Sequence, residues 1–240
     1  MLKQTALITG ANKSIGFETA RRLGELGYKV WLGSRDLARG ETAAQVLRDM
    51  GHDIRVLQID TASDNSVKVA AERVKQEDGR LDVLINNAGI LGDMSAPSET
   101  PLSTIKEVYE VNVFGPIRTT QAFLPLLKAS AHANIVMVSS GLGSLGWLSD
   151  PTNEFASINI LGYNSSKSAL NAVTLSFAKE LAASGIRVNA ADPGYTKTDF
   201  NHHSGYRTVE QAAEVIVRLA ILDRDGSTGG YFDENGSIPW

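Results

Sequence analysis

The chain has no cysteine among its 240 residues. Disulfides, thiolate metal sites and a cysteine nucleophile are thereby excluded. Its four histidines are scattered apart from the pair His202-His203, and no His-Glu-x-x-His spacing occurs, so no metal site is expected. Basic charge is not in excess: the formal net charge is −4, the opposite of the footprint left by nucleic-acid binding. No apolar run reaches the ~18 residues of a membrane span. The opening MLKQTALITG reads as a strand rather than a secretory leader. A cytoplasmic protein with no membrane or nucleic-acid partner is the expectation. Repeats, low-complexity tracts and linkers rich in Pro, Gly or Ser are also missing, which leaves a single domain over residues 1–240.

What is present is alternation. Apolar runs at 5–9 (TALIT), 29–33 (KVWLG), 54–59 (IRVLQI), 81–86 (LDVLIN), 134–139 (NIVMVS) and 186–191 (IRVNAA) read as buried strands. Amphipathic stretches near 15–27, 37–50, 64–78, 102–129, 162–184 and 208–222 read as helices. The pattern predicts an α/β fold of Rossmann type, doubly wound, with a mostly or wholly parallel sheet of about seven strands and helices on both faces. Two less regular stretches, 141–160 and 195–207, are expected to loop over a site.

The first strand runs into LITGANKSIGFETA, residues 7–20. A strand, Gly10 and a helix starting near Ser14 aim backbone N–H groups at one point, where a phosphate is attracted. Gly10 permits the tight turn, and Gly16 lets the helix approach the strand. No Gly-Lys-Ser/Thr closes the loop, so it is not a Walker A sequence. Ser14 is expected at negative φ, with its hydroxyl capping the helix or binding phosphate.

About 20 residues beyond such a loop, an NAD-specific chain carries an acid for the ribose hydroxyls. Here strand two ends WLGSRD, with Ser34 at that place and Arg35 next. A hydroxyl and a guanidinium attract a 2′-phosphate that a carboxylate repels, and Lys13 can add a second positive charge. Asp36 falls where it should cap the next helix. The cofactor expected is NADP(H).

YNSSK places Tyr163 and Lys167 at i, i+4 on one helix face, after a strand that ends in Ser139-Ser140. A phenol can give a proton to an alkoxide and take one back, and a nearby ammonium favours its ionised form. Lys167 is thus expected to lower the Tyr163 pKa. Ser140 or Ser139 can donate to a substrate oxygen.

These motifs, in order, resemble the short-chain dehydrogenases/reductases, in particular their NADPH-dependent carbonyl reductases: Thr9-Gly10 with Ser14 and Gly16, NNAG at 86–89, Asn112, Ser140, the Tyr163/Lys167 pair and DPGYTKTDF at 192–200. The likeness runs from residue 4 to about residue 200, and the end, GSTGGYFDENGSIPW, adds a strand near Tyr231-Phe232. Ser14 stands where that family usually has glycine. The resemblance implies Asn112, Ser140, Tyr163 and Lys167 as the catalytic set, with Ser140 preferred over Ser139. Asn112 would hold a water that links Lys167 to solvent. It implies cofactor contacts from Gly10, Asn12, Lys13, Ser14, Ile15, Gly16, Ser34 and Arg35. Asp60 and Thr61 would lie at the adenine, and Asn87, Ala88 and Gly89 would pass close to ring and sugar. Lys167 and Tyr163 would reach the nicotinamide ribose. Pro193 and Gly194 would turn the chain beside the nicotinamide, with Thr196 or, more strongly by motif, Thr198 on its carboxamide.

From Ser140 to Tyr163 there are 23 positions, a long interval in which Trp147, Leu148, Phe155 and Ile158 suggest an apolar pocket wall. A small carbonyl compound or alcohol with hydrophobic groups is the expected substrate, with 199–207 as a lid. The 162–184 helix has few charges after Lys167 until Lys179, so it needs burial on more than one side. A homodimer or homotetramer would supply this, and so would cover by the long interval in a monomer. A non-catalytic NADP-binding sensor is the alternative function.

Overall fold

A computed structural model describes residues 3–240. The strands are β1 (Thr5–Ile8), β2 (Lys29–Ser34), β3 (Ile54–Gln58), β4 (Val83–Asn86), β5 (Asn134–Val138), β6 (Arg187–Ala191) and β7 (Tyr231–Phe232). They form one seven-stranded sheet in the order β3-β2-β1-β4-β5-β6-β7. Every pairing is parallel. The intervening helices are α1 (Ser14–Glu25), α2 (Leu37–Asp49), α3 (Asp64–Asp78), α4 (Leu102–Tyr109), α5 (Gly115–Lys128), α6 (Leu145–Ser149), α7 (Leu161–Leu181) and α8 (Val209–Ala220). Among the described residues no helix is long and apolar enough to cross a membrane.

The near-continuous apolar runs are explained by burial on both sheet faces. Ala6 and Ile8 of β1, Val30 and Leu32 of β2, and Val83 and Ile85 of β4 pack into one core cluster. Their alternates Leu7, Trp31 and Leu84 pack into the other. This is the period of two of a strand, filled on both sides. Trp31 is fully buried, and its indole N–H donates to Asp78 Oδ2 at 2.7 Å.

The chain winds outward in opposite directions from β1 and β4, which lie side by side. In such sheets the crevice at the carboxyl ends of those strands is the place for a ligand. The helix expected over 102–129 is interrupted there. It widens into a π turn at Glu110–Phe114 between α4 and α5, and the Gly115 N–H returns to the Glu110 carbonyl. The physical reason is Pro116 near the start of α5. Proline has no N–H, so it cannot bond the Asn112 carbonyl four residues back. The stretch 141–160, expected to be irregular, contains a short 3₁₀ turn, Gly141–Gly143, and α6. That turn presses on α7: a Cβ on Gly143 would lie 2.8 Å from Lys167 Cβ.

Candidate active site

The phosphate turn is built as its residues dictate, with one exception. Gly10 adopts φ +64°, and a Cβ on Gly16 would lie 2.6 Å from Asn87 Nδ2 and 2.7 Å from the Gly10 carbonyl. Helix α1 therefore begins packed against the loop backbone and the Asn87 amide, leaving no room for a side chain at Gly16. This fits a dinucleotide pyrophosphate. Ser14 does not take the expected negative φ: it stands at φ +51°, and no side-chain cap closes the start of α1. The turn geometry belongs to glycine, and serine is held in it at a cost of about 1–2 kcal/mol. Asn12 and Ile15 flank it, half-buried, and the Ile15 side chain packs on the core.

At the adenosine end, β2 finishes with Ser34, whose buried hydroxyl donates to the Asp36 carbonyl at 2.7 Å. Its proton is therefore committed locally, and the free cation at this place is Arg35, exposed and in no salt bridge among the described residues. Asp36 does cap α2, accepting from the Arg39 N–H at 3.0 Å. Lys13 is exposed and its ammonium lies 3.0 Å from Asp199 Oδ2. Asp60 follows β3 and accepts from the Ala62 N–H at 3.0 Å, and Thr61 beside it is buried.

The NNAG stretch stitches β1 to β4. Asn87 Nδ2 donates to the Thr9 carbonyl at 2.8 Å, and the N–H groups of Asn87 and Ala88 both reach Thr9 Oγ1 at 3.0 Å. Ala88 backs the turn: a Cβ on Gly10 would meet its Cα at 3.1 Å. Asn86 lies inside, donating to Thr120 Oγ1 and accepting from Thr119. Gly89 faces the reacting residues, since a Cβ there would lie 3.8 Å from Lys167 Nζ and 3.4 Å from Asn112 Oδ1.

Asn112 is fully buried in the π turn. Its amide exchanges bonds with the Ile90 main chain, accepting from N–H and donating to C=O, each at 2.9 Å, and it donates to Ser166 Oγ at 3.1 Å. With the side chain spent on position, what Asn112 offers the site is its carbonyl, deprived of an α-helical partner by Pro116.

Tyr163 and Lys167 project from α7 toward the end of β5. The Lys167 ammonium sits 5.6 Å from the Tyr163 ring centre and donates to the Val138 carbonyl at 2.7 Å. The two serines divide their work. Ser139 is buried and donates to Asn171 Oδ1 at 2.6 Å, so its proton is taken. Ser140 is half-buried and stands beside the Tyr163 phenol, whose ionisation it favours.

Burial dominates the electrostatics. It holds the Tyr163 phenol above its ordinary value; the Ser140 hydroxyl pulls back, and the Asp192 charge adds to the rise. The lowering expected from the ammonium does not occur: desolvation sets the direction, and Lys167 is not among the groups acting on the phenol. Burial pushes Lys167 down to about 8, against a smaller upward pull from Asp192. Asp192, to which the motifs alone assign no role, is itself buried and raised mainly by desolvation. It accepts from the Gly194 N–H at 2.9 Å, and its Oδ2 would lie 3.0 Å from a Cβ on Gly141. The signal for it lies in its place: an acid closing a fully buried strand.

The two flanking stretches meet over this centre. A Cβ on Gly141 would lie 2.6 Å from the Phe155 ring and 2.9 Å from Trp147, whose rings are 5.6 Å apart. Leu148 is half-buried, whereas Ile158 is exposed. From the other side Phe200 packs on Tyr163 with ring centres 5.6 Å apart. Pro193 and Gly194 turn the chain after β6, Gly194 at φ +71°. Thr196 is buried and donates to the Gly194 carbonyl at 3.0 Å. Thr198 instead accepts in a capping box with Asn201, which leaves its hydroxyl proton free.

The model of the short chain dehydrogenase family matches residues 4–207. The short-chain dehydrogenase anuI of Penicillium roqueforti is 38% identical over 224 residues, spanning 91% of this chain and 88% of that one. The (+)-neomenthol dehydrogenase of Arabidopsis thaliana is 35% identical over 281 residues, spanning 95% and 94%. The structure of an NADPH-bound carbonyl reductase from chicken fatty liver superposes with a TM-score of 0.88 at 26% identity, covering 100% of both chains.

Proposed function

The chain belongs to the short-chain dehydrogenase family and is an oxidoreductase acting on small molecules, and from that premise we propose that it is an NADPH-dependent reductase of ketones or aldehydes, reversible toward the alcohol. The observation that carries this is the convergence of Tyr163, Ser140 and Lys167 at the carboxyl end of β5. NADPH, when bound, supplies the hydride. Ser140 donates a hydrogen bond to the carbonyl oxygen and stabilises the charge that grows there. Tyr163 gives its proton to the same oxygen, and in the reverse direction takes it back. A phenol held above its ordinary value is protonated across the neutral range, as an acid must be. Lys167 binds the nicotinamide ribose, and its charge steadies the tyrosinate left after proton transfer. The Asn112 carbonyl holds the water through which Lys167 and Tyr163 are reprotonated.

Arg35 and Lys13 select the 2′-phosphate, and the similarity to an NADPH-bound carbonyl reductase supports that choice. Trp147, Phe155 and Phe200 offer aromatic surface to hydrophobic carbonyl compounds.

Consumption of NADPH and NADH across a panel of ketones and aldehydes tests the reading. Turnover with NADPH should exceed that with NADH, and Arg35→Asp should reverse the preference. Tyr163→Phe should lose a factor of about 10² or more in kcat while still binding NADPH. Wild-type protein that binds NADPH yet reduces nothing would instead favour a sensor.

A further inference from the structure

Taking Ser140 as the donor to the substrate oxygen, we propose that Tyr231 is a positioning residue for it. Tyr231 stands on β7 at the sheet edge, wholly buried, and its hydroxyl donates to the main-chain carbonyl of Ser140. The same carbonyl accepts from the Gly143 N–H at 2.7 Å, so both of its lone pairs are used. The next residue is confined from the end of β6: a Cβ on Gly141 would lie 3.0 Å from Asp192 Oδ2. The peptide unit joining Ser140 to Gly141 is thereby held by β7 on one side and closely packed by Asp192 on the other. The Ser140 side chain is braced as well, its Oγ accepting from the Leu142 N–H at 3.3 Å.

Tyr231 is in turn held by the segment C-terminal to it. The Trp240 ring stacks on the tyrosine with ring centres 5.3 Å apart and planes 23° from parallel. The Ile238 N–H returns to the Tyr231 carbonyl at 2.9 Å. Residues 239 and 240 then bind the substrate-side stretch: Ser144 Oγ donates to the Pro239 carbonyl at 2.7 Å, and the Gly146 N–H to the Trp240 carbonyl at 2.9 Å. Gly146 cannot carry a Cβ without meeting Pro239 at 3.1 Å. The strap 238–240 thus fixes both Tyr231 and the start of α6, and the hydroxyl of Tyr231 transmits that fixity to Ser140. A hydrogen-bond donor works in a transition state only when held close to its productive place. Tyr231 touches neither substrate nor cofactor in this role, and acts through Ser140 alone.

Tyr231→Phe removes the hydroxyl and keeps the ring. It should lower kcat on the order of tenfold. KM for NADPH should stay within about twofold, because the strap touches no part of the phosphate turn. Amide exchange at Leu142, Gly143 and Gly146 should quicken on its own, with that of β1 and β4 unchanged. Trp240→Ala, at a partly exposed site, should move the same readouts in the same direction. Unchanged exchange at those amides in both variants overturns the inference, and so does quickened exchange with full kcat. The exchange measurement stands without any turnover. A wild-type chain that reduces no carbonyl compound therefore sinks the reading of the reaction, whereas static amides sink the role of Tyr231.

Discussion

Lys13 on the phosphate turn and Asp199 at the head of the 199–207 stretch form an ion pair at 3.0 Å. The pair ties the cofactor side of the crevice to the segment that carries Phe200 over Tyr163. His203 shares Asp199 at 3.0 Å, and both His202 and His203 are held at positive φ, so this segment is coiled tightly around the carboxylate.

Asp199 therefore competes with a 2′-phosphate for the Lys13 charge. Asp199→Asn should tighten NADPH binding by about two- to fivefold at low salt, as expected of an exposed pair, with little effect on NADH. The gain should shrink as salt is raised. Fluorescence titration with both cofactors checks this; equal effects on the two would count against Lys13 as a phosphate ligand.

Ser14 at φ +51° is strained where glycine is at ease. Relief of about 1–2 kcal/mol is partly offset by the extra freedom glycine brings to the unfolded chain. Ser14→Gly should raise the melting temperature by about 1–3 °C. Cofactor affinity should stay within about tenfold of the wild type. A lower melting temperature would show that the serine hydroxyl stabilises the turn.

Lys167 is pushed down to about 8 from its ordinary 10.5 by burial. The unfolded chain thus holds this proton more tightly, and folding gains stability as pH rises through the window between those values. Below about 8 the cost of the buried ammonium is fully present, on the order of 1–3 kcal/mol. Urea unfolding of wild type and Lys167→Met should therefore show the wild type gaining on the variant between pH 7 and 10 (about the two sides of that window). A constant difference would place the ammonium in a better-solvated setting than the structure shows.

Asp192 raises the Tyr163 phenol, while Arg207 and Asp233 act on Asp192 from the other side. At the alkaline pH where a buried phenol ionises, even a raised carboxyl is charged. Asp192→Asn should accordingly shift the rising limb of alcohol oxidation, where the phenol ionises, toward lower pH. An unmoved limb in an active variant would mean that the carboxylate serves geometry alone.

Much of this is open to the sequence because burial on both faces leaves unbroken apolar runs. Every strand named from those runs is present, and the edge strand at Tyr231-Phe232 came from the resemblance. Ser140, Tyr163 and Lys167 are brought together, because a strand end and a helix face are local features that spacing reports; Asn112 and the choice of Ser140 over Ser139 came from the resemblance. The hidden part depends on three-dimensional context. The sign of φ at Ser14 is set by the turn around it, and the upward shift of Tyr163 by how completely the helix and loops exclude water. The bond from Tyr231 to Ser140 and the close approach of Asp192 to Gly141 join positions far apart in the chain, which no periodicity records.

The widened turn around Asn112 also holds one residue more than an ordinary helical turn. The bond from the Gly115 N–H to the Glu110 carbonyl spans five residues where an α-helix spans four. Removing a single position from within 110–114 would therefore leave α5 in its present phase, with Thr119 and Phe123 still buried against the sheet and Thr119 still bonded to Asn86. The damage of such a shortening would be confined to the place where the Asn112 carbonyl points, so the extra residue serves the crevice and not the packing of α5.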